Sequence, residues 1–314
     1  MAKLCYIKFR IITFDTAMCI DNTNSISTKR PPHTRLYQFK TYRSMKKATL
    51  FSLVFILLMG CIQKPATVKK NPNERLTMAT IFVEHAPEYK ALCYQAYNLA
   101  GFRLNEIVKN NSENNKLAVV LDIDETVLNN IPYQAKQVLD TIGYPTCWSE
   151  WVNLAVAEPV PGAKEFLTMA NNLGVAIFYV SNRKTTTLGA TINNLKKFDL
   201  PQADSLHVML KVNDNEKETR RQKVLAEGYN IVLLFGDNLS DFSSDFEISD
   251  NTARNTTAIS QSAQFGHRYI VLPNPGYGAW TQNLGLYNPG LNQDLLTRSL
   301  MSGFECDEPV KSDK

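Results

Sequence analysis

Asp122 and Asp124 stand two apart in Leu121-Asp122-Ile123-Asp124-Glu125-Thr126, and Asp237 and Asp241 stand four apart in Gly236-Asp237-Asn238-Leu239-Ser240-Asp241. Each pair directly follows an apolar run. If both runs are strands of one sheet, their ends gather hard oxygen ligands in a small volume. Mg2+ suits such a cluster, because it takes a few protein carboxylates and leaves its other positions to water and phosphate oxygens. A phosphoryl group entering an acidic pocket needs a metal and cationic side chains to offset its charge. Ser181, Asn182 and Arg183, behind a third apolar run, add a hydroxyl and a cation. Asp-x-Asp alone is equally the pattern of a helix N-cap or a turn. An EF-hand loop is excluded, since its sixth position would be Val127 instead of Gly and its twelfth Tyr133 instead of Glu.

The elements that must position these residues are legible in outline. Residues 74 to about 108 carry apolar side chains at spacings of three and four, which predicts a helical stretch. Apolar runs of strand length follow at 117–121, 175–180, 231–235 and 269–272, with candidate helices at 162–173, 185–197 and 216–227 between them. Continuous apolarity in each run predicts strands buried on both faces. Alternating strands and helices then make an α/β doubly wound fold with a mainly parallel sheet, whose ligands bind beyond the carboxyl ends of the strands.

Composition sets the limits. Of 314 residues, 44% are hydrophobic and 20% charged, which excludes a disordered or collagen-like chain. The net charge of +4 is misleading, because the first 60 residues hold ten Lys/Arg and two Asp/Glu, leaving 24 basic against 28 acidic beyond them. That remainder gives no reason to expect nucleic acid as a partner. The six cysteines, at positions 5, 19, 61, 93, 147 and 306, show no zinc-ligand spacing.

From Met45 the chain reads MKKATLFSLVFILLMGC, two lysines and an apolar run too short for a permanent membrane span, which is the layout of a signal peptide over 45–60. Its end, Leu58-Met59-Gly60-Cys61, resembles the lipobox of bacterial lipoproteins, which implies lipidation of Cys61 and anchoring in the cell envelope, with the outer membrane as the expected location. Residues 61–73, polar and containing two prolines, read as a tether. Residues 1–44, upstream of the signal, read as an extension outside the native start.

The two acidic blocks also carry a family resemblance. The run from Val120 to Asn130 resembles the first motif of the haloacid dehalogenase-like phosphohydrolases, and Ile231 to Phe242 their fourth. The DIDETVL block ending at Tyr133 and the Gly236-Asp237-Asn238-Leu239 block resemble, more narrowly, the paired signature of class C acid phosphatases, the lipoprotein e type of 5′-nucleotidase. The resemblance implies that Asp122 is a nucleophile and Asp124 a general acid and base. It implies Mg2+ held by Asp122, the Asp124 backbone carbonyl and Asp237, with Asp241 close behind. Ser181 would hydrogen-bond a phosphoryl oxygen, with Asn182 and Arg183 beside the substrate at the pocket rim, although a structural role for Arg183 is equally open.

The third motif needs a lysine. Lys211, Lys217 and Lys223 qualify, and the family spacing favours Lys217, although a charged run such as 214–223 is as readily a solvated helix face. An insertion near 130–161, with Tyr133, Trp148 and Trp151, reads as a small, mostly helical cap. The resemblance implies that Trp148 and Tyr277, within Trp148-Ser149-Glu150-Trp151 and Asn274-Pro275-Gly276-Tyr277-Gly278-Ala279-Trp280, stack a nucleobase or nicotinamide, although clustered aromatics are more often core. The expected activity is hydrolysis of 5′-nucleotides, nicotinamide mononucleotide and aryl phosphates through a phospho-aspartate. Phosphotransfer through the same intermediate, or a surface lipoprotein binding haem or another ligand, are the competing readings. A homodimer is left open.

Overall fold

The structure, a computed structural model, describes residues 71, 73–112, 115–212 and 216–303. The expected extension, signal peptide, Cys61 and most of the tether lie outside the described residues. The folded part opens with α1 (Glu74–His85) and α2 (Pro87–Lys109), where periodicity suggests one helix. Pro87 makes the division. It has no N–H to continue α1 and biases Ala86 to an extended backbone (φ −76°, ψ 126°), yet it is well placed in the first turn of α2.

β1 (Lys116–Leu121), β2 (Leu128–Asn129), α3 (Ile131–Leu139), α4 (Trp148–Leu154), β3 (Glu158–Pro159), α5 (Ala163–Asn172), β4 (Ala176–Lys184), α6 (Leu188–Lys197), β5 (Val208–Lys211), α7 (Glu218–Ala226) and β6 (Tyr229–Gly236) come next. α8 (Asn251–Ser260), β7 (Tyr269–Val271), α9 (Ala279–Asn283) and α10 (Gln293–Leu300) complete the order. Five strands form one sheet in the order β5-β4-β1-β6-β7, every neighbouring pair parallel. From β1 the chain moves outward first through β4 to β5, then on the other side through β6 to β7. The end of β1 is therefore the point where strand order reverses, and where an open sheet leaves a crevice for a ligand.

The pleat sorts the core into two layers. Leu117, Val119 and Leu121 of β1, with Ile177 and Tyr179 of β4 and Leu233 and Phe235 of β6, pack under Tyr97 and Leu104 of α2, Phe166 and Leu167 of α5 and Leu195 of α6. The alternate residues Ala118, Val120, Phe178, Val180 and Leu234 face Val224 of α7 together with Phe242 and Phe246. Burial on both faces is why these runs are apolar without alternation. Truncating Leu233, which is fully buried, to alanine costs about 2–5 kcal/mol. β4 runs four residues past Val180, so Ser181, Asn182 and Arg183 lie within the strand and not behind it. β5, only four residues long, is absent from the sequence reading.

β2 and β3 pair antiparallel, Leu128 opposite Pro159 and Asn129 opposite Glu158. That ladder closes the neck of the insertion, which holds α3 and α4, so the expected cap emerges from and returns to one point. Asn73 donates to the carbonyls of Gln137 (2.8 Å) and Ile142 (2.7 Å), and Asn71 to that of Val138 (2.7 Å). Carbonyls in the last turn of a helix have no partner within it. The chain just ahead of α1 supplies one for Gln137 and Val138 through Asn73 and Asn71. Among the described residues, no helix is long and apolar enough to cross a membrane.

Candidate active site

Asp122 leaves β1 with its N–H on the carbonyl of Phe235 (3.0 Å), which places it between the ends of β4 and β6. A tight turn follows, the N–H groups of Val127 and Leu128 both bonding Ile123 O (2.9 and 2.8 Å). Glu125 takes the left-handed conformation this turn needs (φ 59°). β6 ends at Gly236, where an added Cβ would come within 2.3 Å of the Asp241 side chain, so only glycine lets that carboxylate fold back toward the strand end. Asn238 caps the turn, and its N–H donates to Asp241 Oδ2 (3.0 Å).

Three carboxylates, those of Asp122, Asp237 and Asp241, offer oxygens within 4.8 Å of one another. Lys217, buried at the start of α7, is paired with Asp122 and with Asp241 (2.7 Å). Lys217 thus takes the position between the aspartates, while Lys223 is exposed on the last turn of α7. Asp237 accepts hydrogen bonds from Asn274 (2.8 Å) and Thr126 (3.3 Å). Burial, then the charges of their neighbours, push the Asp122 and Asp237 carboxyls up, with Lys217 opposing. Burial works against the Lys217 charge, but Asp122 and Asp241 outweigh it and hold the ammonium above the ordinary lysine range. Two buried carboxylates and the half-buried Asp237 face a single ammonium, and all the donors are hard oxygens. The residues fit a divalent cation.

Asp124 lies in the same cleft, but its side chain turns elsewhere. Arg183 grips it through Nη2 (2.8 Å to Oδ1) and Nε (3.0 and 3.2 Å), with Asn130 Nδ2 (2.8 Å) and Ser181 Oγ (3.3 Å) adding to the hold. Its carboxylate is therefore outside the group of three, and only its backbone carbonyl is left for the metal role that the resemblance implies. The Arg183 side chain is 1% exposed. It lines the cleft, and its guanidinium is engaged with Asp124, which is the structural role the sequence left open beside a contact with substrate. Ser181 is fully buried, and its hydroxyl also accepts the Arg183 N–H (3.1 Å). Asn182 Oδ1 accepts from Arg220 (2.6 Å), whose other nitrogen reaches the Ser181 carbonyl (2.6 Å). Arg220 and Arg221, buried on α7, belong to the run that reads as a solvated face.

The aromatic residues divide. Trp148 meets Tyr133 edge-on (ring centroids 5.0 Å apart) and Tyr144 (6.0 Å), and all three line the cleft. Tyr133 is buried and donates to Thr146 O (2.9 Å); Tyr144 is exposed. Trp151 instead donates to Asn130 Oδ1 (2.8 Å). Tyr277 lines the cleft with its hydroxyl donating to Glu125, a contact no stacking role predicts. Glu125 is buried and also accepts from the Asn130 N–H (3.0 Å) and Gln134 (3.2 Å). Burial, then the Asp124 charge, push it up to about 7 against these bonds. Sequence reasoning assigns Glu125, Asn130 and Tyr144 no task; a carboxylate inside the first acidic block was the one signal.

A five-stranded parallel sheet with carboxylates beyond the ends of β1 and β6 is a haloacid dehalogenase-like α/β fold. The family model for the HAD superfamily, subfamily IIIB (acid phosphatase), matches residues 62–280. The chain belongs to that family. It is similar to the class C acid phosphatase of Bacillus anthracis (39% identity, TM-score 0.70, 75% of this chain and 100% of that one) and to the same enzyme with tungstate bound (40%, 0.69, 73% and 98%). Plant relatives are the stem 31 kDa glycoprotein of Glycine max (31% identity, 40% of this chain and 52% of that one) and vegetative storage protein 2 of Arabidopsis thaliana (30%, 50% and 59%). The chain spans about half the length of these curated relatives.

Proposed function

We propose that the protein is a Mg2+-dependent phosphomonoesterase of small phosphate esters, 5′-mononucleotides and nicotinamide mononucleotide among them, held on a bacterial outer membrane by a lipid on Cys61. The observation that carries the activity is the clustered set Asp122, Asp237, Asp241 and Lys217 at the reversal point of the sheet, with Asp124 beside it.

An Asp122 oxygen attacks phosphorus while the bond to the leaving oxygen breaks, and the proton on Asp124 passes to that oxygen. Water then attacks the phospho-aspartate. Asp124 takes its proton, the bond from phosphorus to Asp122 breaks, and inorganic phosphate and the free carboxylate are regenerated. Lys217 orients Asp122 and offsets the charge of the phosphoryl group. Asp122, Asp237 and Asp241 would hold Mg2+, which would supply charge neutralisation and alignment there. Burial of the set keeps bulk water from screening these charges.

Substrate range rests on Trp148, Tyr133 and Tyr144, since a ring wall accepts any flat group. The location rests on the signal-like 45–60 segment and on chemistry: a charged ester outside the cytoplasm crosses a membrane poorly until its phosphate is removed. The test is phosphate release from 5′-AMP, nicotinamide mononucleotide and an aryl phosphate, with Mg2+ and with EDTA. Metal-dependent release from all three is expected; release from none overturns the reading, and release from the aryl ester alone removes the nucleotide part.

A further inference from the structure

Arg183 touches both the Asp124 carboxylate and the aromatic wall. On one side its fork closes on the Asp124 carboxylate through Nη2 and Nε at 2.8 to 3.2 Å. On the other its guanidinium carbon lies 5.8 Å from the centre of the Trp148 ring, within cation–π range. Nη1 is held by Thr191 Oγ1 (3.3 Å), and its own N–H is on Ser181 Oγ (3.1 Å), so the fork is fixed from α6 and from its own strand. Asn130 completes the arrangement from the cap. Its Nδ2 reaches Asp124 (2.8 Å) and its Oδ1 takes the Trp151 N–H (2.8 Å).

We infer that Arg183 is a positioning residue for the acid–base step, setting the Asp124 carboxylate and bracing the Trp148 wall at once. This rests on the phosphomonoesterase reading above. Three points of contact leave Asp124 one orientation, and its side chain keeps 19% exposure toward the cleft, the part a leaving oxygen can reach. Once the proton has gone to the leaving group, a carboxylate remains, and a bidentate guanidinium is the strongest partner a protein offers it. One face of Trp148 is thereby taken by a cation, so a substrate ring is left the opposite face.

A role through Asp124 leaves a mark that a merely structural role does not. An alkoxide departing from a nucleotide needs a proton badly; a nitrophenolate hardly does. R183M is expected to lower kcat on 5′-AMP roughly 100-fold, the scale of general acid catalysis, and kcat on 4-nitrophenyl phosphate less than about 10-fold. R183K, which keeps the charge but loses the fork, should fall between. Equal losses on the two substrates, or a change in KM alone, overturn the inference. Since R183M leaves Asp124 without its cation and can fail to fold, the double variant D124N/R183M, which removes both charges, gives a second test. On 5′-AMP it should be no slower than D124N alone; additive losses overturn the coupling. D122N separates the two failures: if it is active, the parent reading falls, and if it is dead while R183M affects both esters alike, only the role of Arg183 falls.

Discussion

The aspartate cluster and the aromatic wall share a cleft but are built on opposite plans. In the cluster every side chain is short or buried and is held from several sides: Asp241 by Lys217 and the Asn238 N–H, Asp237 by Asn274 and Thr126. Its members come from the ends of the two central strands and the start of the helix that packs beside them. The wall is carried by the insertion, on α3, α4 and the loop between, and grades from buried Tyr133 to Tyr144 at 69% exposure. One region tolerates almost no displacement, because buried charge is expensive when misplaced. The other can change its rings while the sheet stays as it is, so chemistry and choice of substrate are separable in this fold.

The sharpest way to break that contrast is at its centre. D122N should lower kcat at least roughly a thousandfold on every ester, with the fold retained by circular dichroism. Next, K217M should cost roughly 100-fold in kcat, and because it leaves buried carboxylates without their ammonium, its melting temperature should depend on added Mg2+ more steeply than that of the unaltered protein. If EDTA does not lower activity, the charge argument for the cluster fails.

At the wall the expected effect is smaller and of another kind. W148A should raise KM for 5′-AMP about 10-fold and leave kcat within about threefold, in line with the loss of one stacked base. A kcat loss as deep as that of D122N would erase the distinction.

The smallest effect concerns Glu125, which ties the two regions together. Its carboxyl is raised in the folded state from 4.5 to about 7. Between those values the folded protein binds more protons than the unfolded chain, so this group makes stability fall as pH rises through that window. The melting temperature of the unaltered protein relative to E125Q, at fixed Mg2+, should therefore drop by a few degrees from pH 5 to pH 7. A flat difference would mean that Tyr277 and Asn130 fully offset the burial.

What was legible in the sequence follows the same division. Asp122, Asp124, Asp237 and Asp241 announce themselves because each pair sits directly behind its apolar strand, and those strands lack alternation because both faces are covered. Lys217 was singled out by the family spacing alone, and Arg220 and Arg221 were not found, since a charged run becomes buried only when groups such as Asp241 or the Ser181 carbonyl lie opposite, and those come from elsewhere in the chain. Arg183 is two residues from Ser181, yet its target is the carboxylate of the neighbouring strand. Tyr277 was found by its motif, but Glu125, its hydroxyl partner, is 152 residues away. β5 has only four residues, too few to stand out from loop sequence, and the break at Pro87 was passed over because apolar periodicity runs on across it.

Asn71 and Asn73 fasten the incoming chain to the carbonyls at the end of α3, and so to the insertion instead of the sheet. In mechanical terms this sets a load path. A pull on the chain upstream is borne first by the element that carries Tyr133, while the aspartates, seated in parallel strands behind a closed neck, are insulated from it.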